Sequence, residues 1–245
     1  MSRKSTSGIK RGSAGGQKDL TALSYKEFDA TPLRPLIPGD TYDYGPDGSA
    51  ETKWFEDNSN FREILANATM DDKIAIREFT AGYFMNGQQY GGFSKMSSTE
   101  QDYVRSYDRM LDQSVIKANV TVTRFATPEL LLGGGRRTAT LAELKAMKGR
   151  VITSKANLSS AAAKEGLSIG DAKKTVEYKI HIPKGSRGAG MYIGVHGIHA
   201  WGERQREFML NRDIDLLCGD VKYNKTRGVY EMHMYFQGLL PHDYS

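Results

Sequence analysis

Gln205-Arg206-Glu207-Phe208-Met209-Leu210-Asn211-Arg212 holds a short apolar run, Phe208-Met209-Leu210, entered through two polar side chains one residue apart. So brief a run between polar residues reads as a buried strand, because a helix needs a longer amphipathic stretch. Side chains alternate between the two faces of a strand, so Gln205 and Glu207 project to the same side at its start. An amide and a carboxylate placed together behind a loop, here the loop carrying Trp201, form a candidate catalytic pair.

Around that stretch the hydrophobic period is two. Strand candidates follow at Ile214–Val221 and Val229–Phe236 and precede it at Lys174–Ile182 and Met191–Val195. Further back, Val120, Val122 and Arg124 alternate with Thr121 and Thr123. Before residue 120 the spacing is helical instead. Phe61, Ile64 and Leu65 share one face; Asp71 and Asp72 suit the start of a second helix through Ile74, Ile76 and Phe79. A third helix is expected from Ser98, with Ser98-Thr99-Glu100 as capping chemistry, through Tyr103, Tyr107, Leu111 and Val115. Helices first and strands later, without βαβ alternation, favour an α+β fold over a doubly wound α/β one.

The chain has 245 residues and a formal net charge of +5. Arg3, Lys4, Lys10, Arg11 and Lys18 supply all of that charge, because no acid occurs before Asp19. The basicity therefore belongs to a tail, expected to be disordered over 1–18, and not to a nucleic-acid-binding domain. Pro32, Pro35, Pro38 and Pro46 punctuate residues 19–60, expected to be an irregular lead-in anchored by Tyr25, Phe28, Trp54 and Phe55. Residues 61–245 form the expected folded domain. No apolar run approaches the ~18 residues of a membrane span, and no secretory signal is visible at the start. A cytoplasmic protein, or one carried in a virion or delivered without a signal peptide, is the expectation. Cys218 is the one cysteine and reads as inert core.

Several motifs fail. Gly133-Gly134-Gly135-Arg136-Arg137 lacks the Lys-Ser/Thr of a phosphate-binding loop. Gly188-Ala189-Gly190 has no dinucleotide-fingerprint continuation. His196 and His199 lack a third ligand at metal-site spacing, so no metal is expected. Two polar features remain. Arg124 ends a β-patterned run, where an arginine is either a solvent-facing edge residue or a fork aimed at a phosphate. Ser159-Ser160 follows the short apolar pair Val151-Ile152, and the serines read either as a helix cap or as part of a site.

Taken in order, these pieces resemble the mono-ADP-ribosyltransferases of the arginine–serine–glutamate class. That class includes the Rho-modifying clostridial exoenzyme, binary-toxin enzyme components and several bacteriophage proteins. Ala75-Ile76-Arg77-Glu78-Phe79-Thr80, with Tyr83 to Asn86, is similar to the family's "AI..YT...Y..IN"; Asn119 to Arg124 is similar to its strand ending in an arginine. Gly149 to Ala162 resembles the serine segment and places the motif serine at Ser159. Tyr178 to Gly188 resembles "LKI.VPKG.KG", and residues 205–212 resemble "[QE]xEFLLNR". The chain departs from the pattern at Ala161, where the third serine of Ser-Thr-Ser would stand, and at Gln89 and Tyr90, where a second arginine is common.

The resemblance implies N-terminal helices packed on two roughly perpendicular antiparallel sheets around an NAD cleft. It implies NAD+ as substrate, with Arg124, Ser159, Asn86 and Tyr83 holding it and Lys174 standing in for a missing basic contact. Glu207 would stabilise the oxocarbenium-like charge that develops as nicotinamide leaves, with Ser159 orienting it. In the family a glutamate two residues before the catalytic one accompanies arginine acceptors. Gln205 therefore implies another acceptor, with Trp201 contacting the target; the competing assignment gives the second carboxylate to Glu203. The implied function is transfer of ADP-ribose to a protein by a monomer, with the tail free to meet an anionic partner or nucleic acid. The alternatives are an NAD+ glycohydrolase and a catalytically weak binding module.

Overall fold

The computed structural model describes residues 49–81, 92–132, 138–161, 175–193 and 207–245. Local chemistry accounts for the early helices. The helix α1 (Ser49–Asp57) lies inside the stretch expected to be irregular. Its Phe55 is fully buried and stacks on Tyr192 at 4.5 Å, so an aromatic anchor acts here from a helix. α2 (Phe61–Asn67) buries Phe61, Ile64 and Leu65, the face read from their spacing. α3 (Met70–Ala81) opens with Thr69 and Asp72 bonded reciprocally, Thr69 N to Asp72 Oδ2 at 2.9 Å and Asp72 N to Thr69 Oγ1 at 3.2 Å.

α4 (Ser98–Asp112) begins with a complete capping box, but its cap is Ser97, three residues before Glu100. It ends before Val115, which leaves the helix and bridges to Arg187. The short helices α5 (Glu129–Leu132) and α6 (Leu141–Lys145) follow β1 (Val120–Ala126). The remaining strands are β2 (Val151–Ser154), β3 (Leu158–Ala161), β4 (Val176–Ile182), β5 (Gly190–Tyr192), β6 (Glu207–Leu210), β7 (Ile214–Asn224) and β8 (Val229–Leu239). The serines of 158–161 thus lie in a strand, not in a helix cap.

The strands form one sheet of eight, in the order β2-β7-β8-β4-β1-β3-β6-β5. The two antiparallel sheets implied by the resemblance are continuous here, and one pair of strands within them is parallel. β1 meets β3 at the single pair Thr123↔Ala161, a seam that joins what would otherwise be two groups of strands. β4 and β8 run parallel, which is possible because β5, β6 and β7 intervene and supply the long crossover a parallel pair needs. Helices and the mixed sheet together make the α+β class read from the sequence.

One main core joins helices and sheet, from Phe55, Phe61, Ile76 and Phe79 to Tyr178, Phe208 and Met232. Cys218 is fully buried within it, and burial pushes its thiol up to about 12, so it stays protonated and inert. On the other face of β4 and β8 lie His181, His233 and Tyr235, with Thr121 of β1 bonded to His181 at 2.7 Å. No helix among the described residues is long and apolar enough to cross a membrane.

Two histidines make stability depend on pH in opposite directions. Burial, with the charges of His233 and Lys179, lowers His181 from 6.5 to about 3. A group depressed in the folded state contributes stability above its unfolded pKa and loses it on acidification. His242 is bonded to Asp112 and Asp213; burial would lower it, but those bonds and the charges of Asp108 and Asp112 raise it to about 9. Its contribution is complete below 6.5 and disappears as pH rises through about 9. Thermal melts between pH 4 and 10 should therefore fall on both sides of a maximum near 6.5, and His242→Gln should remove part of the alkaline fall only. An unchanged alkaline limb in that variant would contradict the assignment.

Candidate active site

β6 is buried along its whole length. It pairs with β3 in the register Leu158↔Leu210, Ser159↔Met209, Ser160↔Phe208 and Ala161↔Glu207. Period two then puts Ser159, Ala161, Met209 and Glu207 on one face, and Ser160 with Phe208 on the other. Ser159 and Glu207 are diagonal neighbours across the pair, close enough for side chains to meet. Ser159 Oγ donates to Glu207 Oε1 at 2.5 Å. The neighbouring Ser160 faces the aromatic side, where Phe208 meets Phe55 at 5.7 Å and Phe61 at 6.1 Å.

Arg124 arrives from β1, next to the seam at Thr123↔Ala161. Its NH1 donates to the backbone carbonyl of Ser159 at 2.6 Å. Three strands adjacent in the sheet, β1, β3 and β6, thus bring Arg124, Ser159 and Glu207 together across gaps of 35 and 48 residues. Glu207 is 4% exposed, and its Oε2 makes no hydrogen bond among the described residues. Burial pushes its carboxyl above the usual range, against the pull of the Ser159 hydroxyl and the Arg124 guanidinium. The result is a desolvated acceptor with one oxygen held and the other available. Such a group binds a donor hydroxyl strongly and opposes a nearby positive charge in a medium of low dielectric.

Close approach on the far side also fixes β6. Gly190 of β5 lies opposite Leu210 with φ 148°, and a Cβ there would sit 2.3 Å from the Met209 carbonyl oxygen. Only glycine admits both that conformation and that contact.

Gln205, Trp201, Glu203, Tyr83, Asn86 and Lys174 lie outside the described residues, as do Gln89, Tyr90, His196, His199 and the 1–18 tail. Among the described residues no cluster of three or more His, Cys, Asp or Glu side chains converges as a metal site. The sequence placed Tyr107 on the face of the third expected helix, α4, without a functional role and did not single out Asp108. The Tyr107 hydroxyl is buried without a hydrogen-bond partner among the described residues. Burial, then the charges of Glu207 and Asp108, pushes its phenol well above the ordinary value. Asp108 holds Arg212, the last residue of the quoted stretch. The signal for both was an aromatic followed by an acid inside an amphipathic helix, which resembles any core position.

Comparison with known proteins follows the same geometry. The model of the ADP-ribosyltransferase exoenzyme family matches residues 51–236. Among solved structures, C3stau2 from S. aureus, crystallised with NAD, is 20% identical with a TM-score of 0.59, covering 76% of this chain and 94% of its own. Plx2a, an ADP-ribosyltransferase toxin from Paenibacillus larvae, is 16% identical with a TM-score of 0.65 over 76% of this chain and 94% of its own. The C3 exoenzyme of Clostridium limosum is 15% identical with a TM-score of 0.63 over 85% and 98%. A search of curated proteins returned no significant match. With a family match over most of its length and the fold of the C3 exoenzymes, the chain belongs to the ADP-ribosyltransferase exoenzyme family.

Proposed function

We propose that the chain cleaves the nicotinamide–ribose bond of NAD+ and transfers ADP-ribose to a protein side chain other than arginine, with Glu207 as the catalytic carboxylate. The observation that carries this reading is the Ser159–Glu207 contact, with a buried Glu207 Oε2 left open beside it. The residues present suit the dinucleotide: Arg124 offers a guanidinium to phosphate, and Oε2 offers an acceptor to a ribose hydroxyl. Neighbours crystallised with NAD or NADH, C3stau2 and the binary enterotoxin component BECa, are in keeping with that substrate.

Each residue has a definite task. Arg124 holds the pyrophosphate through a charge-assisted bond of about 1.5–3 kcal/mol, while its contact with the Ser159 carbonyl keeps it at the seam. Ser159 fixes the orientation of Glu207 through Oε1. Glu207 then faces the positive charge that develops on the ribose as nicotinamide leaves. Tyr83, Asn86 and Lys174 are further contacts for the dinucleotide. Gln205 supports the choice of acceptor, because an amide cannot take a proton from guanidinium but can hydrogen-bond another amide; Trp201 completes the target contact. The 1–18 tail carries five cations and no acid and would meet an anionic partner or nucleic acid.

Incubation with labelled NAD+ and with bacterial or eukaryotic lysate tests the reaction. Label on a protein band, stable to the hydroxylamine treatment that cleaves arginine adducts, is the expected result. Free ADP-ribose without labelled protein would identify a glycohydrolase instead. Neither product would point to a binding module that keeps the fold.

A further inference from the structure

We propose that Arg212 is a positioning residue for Glu207: gripped by Asp108 and strapped by Asp243 and Tyr244, it fixes the far end of β6 and so the angle at which the carboxylate meets Ser159. This rests on the catalytic reading of Glu207 given above.

β6 is four residues long, so its alignment depends on what holds its ends. Past Leu210 every residue is tied. Asn157 Nδ2 donates to the Leu210 carbonyl at 3.2 Å. Asn211 donates from its backbone to Ala189 at 3.1 Å, and from Nδ2 to Asp112 at 2.9 Å and to the Gly188 carbonyl at 3.2 Å. Asp213 N donates to the Ser154 carbonyl at 2.5 Å, and Asp213 is the sole non-glycine residue with positive φ, 54°, among the described residues. A strained conformation of that kind persists only where its surroundings over-determine it.

Arg212 is the centre of that anchorage. Its Nε donates to Asp108 Oδ1 at 3.1 Å and Oδ2 at 3.0 Å, and NH2 donates to Oδ2 at 2.8 Å. NH1 donates to the Asp243 carbonyl at 2.9 Å and pairs with Asp213 at 3.2 Å. Tyr244 donates its hydroxyl to Asp108 at 3.0 Å while its ring lies 4.8 Å from the guanidinium carbon. His242 ties the same segment to Asp112 and Asp213. Burying these charges costs several kcal/mol per ion, and an apolar replacement often serves stability as well. Stability alone therefore leaves the network unexplained. A forked ion pair works in one relative geometry only, and this pair joins β6 to α4. One residue before Asp108, Tyr107 stacks on Phe79 at 4.3 Å, and the charge of Glu207 helps to push its phenol up.

The test uses the full chain with Arg212→Lys, which keeps the charge and loses the fork, and Tyr244→Phe, which removes one bond to Asp108. Measured are kcat and KM for NAD+ cleavage across pH, and titration of the Glu207 carboxyl by carbon NMR, assigned with Glu207→Gln. Arg212→Lys should lower kcat by about tenfold to a hundredfold with KM for NAD+ changed less than about threefold. Because the Ser159 bond pulls the Glu207 carboxyl down, its titration and the acid limb of kcat should move up together. Tyr244→Phe should shift both in the same direction by less. A purely structural role would lower the melting temperature and leave titration and acid limb in place. A folded Arg212→Lys with wild-type kcat and wild-type Glu207 titration overturns the proposal; if that variant does not fold, the same result in Tyr244→Phe does so. If the wild-type chain cleaves no NAD+, the proposed function falls, while the carboxyl titration still decides the positioning role.

Discussion

Glu207→Gln is expected to reduce NAD+ cleavage by about 10²–10³ with little change in melting temperature. The amide keeps an acceptor for the Ser159 hydroxyl but brings no negative charge to the reacting ribose. Because burial already pushes the carboxyl up, replacing it with a neutral isostere removes no stabilising charge from the fold. Binding of NAD+ should survive, because Arg124 remains; kcat falls and KM stays close to wild type. Single-turnover cleavage of labelled NAD+ measures the first quantity and calorimetric titration the second. Retained turnover in the variant would show that another group supplies the charge and that Glu207 is merely a buried partner of Ser159.

Asp108→Ala is expected to have the largest effect on stability. The Arg212 side chain is 5% exposed, and three of its hydrogen bonds end on Asp108. Removing the carboxylate strands the guanidinium with Asp213 and one backbone carbonyl, which costs about 3–5 kcal/mol, on the order of 10 °C in melting temperature. The exposed pair Lys148–Asp220, 2.7 Å apart, provides the contrast. Asp220→Ala should cost at most about 1 kcal/mol, because water screens that pair and competes for both partners. Urea unfolding of the two variants side by side checks both values. Equal midpoints would mean that the buried network carries no more than a surface pair.

The readable part of this protein was local. The β6 run, the alternation ending at Arg124 and the helical face Phe61-Ile64-Leu65 were all legible, because each is encoded within a few neighbouring residues. Lead-in residues 49–57 were misread as irregular because Pro and Gly nearby outweighed a short helix whose value lies in what Phe55 touches. α4 starts at Ser98 as expected, but its capping chemistry was misplaced by one residue because Ser97 and Ser98 both suit a cap. Only reciprocal bonding with Glu100 distinguishes them.

By itself the sequence determined most of the element types and the α+β class, because periodicity acts over short windows, and its resemblance to a known family singled out Arg124, Ser159 and Glu207 as candidates. Tertiary structure alone decided which strands are neighbours. It placed β3 against both β1 and β6, made β4 and β8 parallel, and turned Ser159 rather than Ser160 toward Glu207. It also paired Asp108 with Arg212 across 104 residues. Such contacts depend on register and on which buried charge finds which partner. Both are settled by burying the whole core at once, so no local window of sequence contains them.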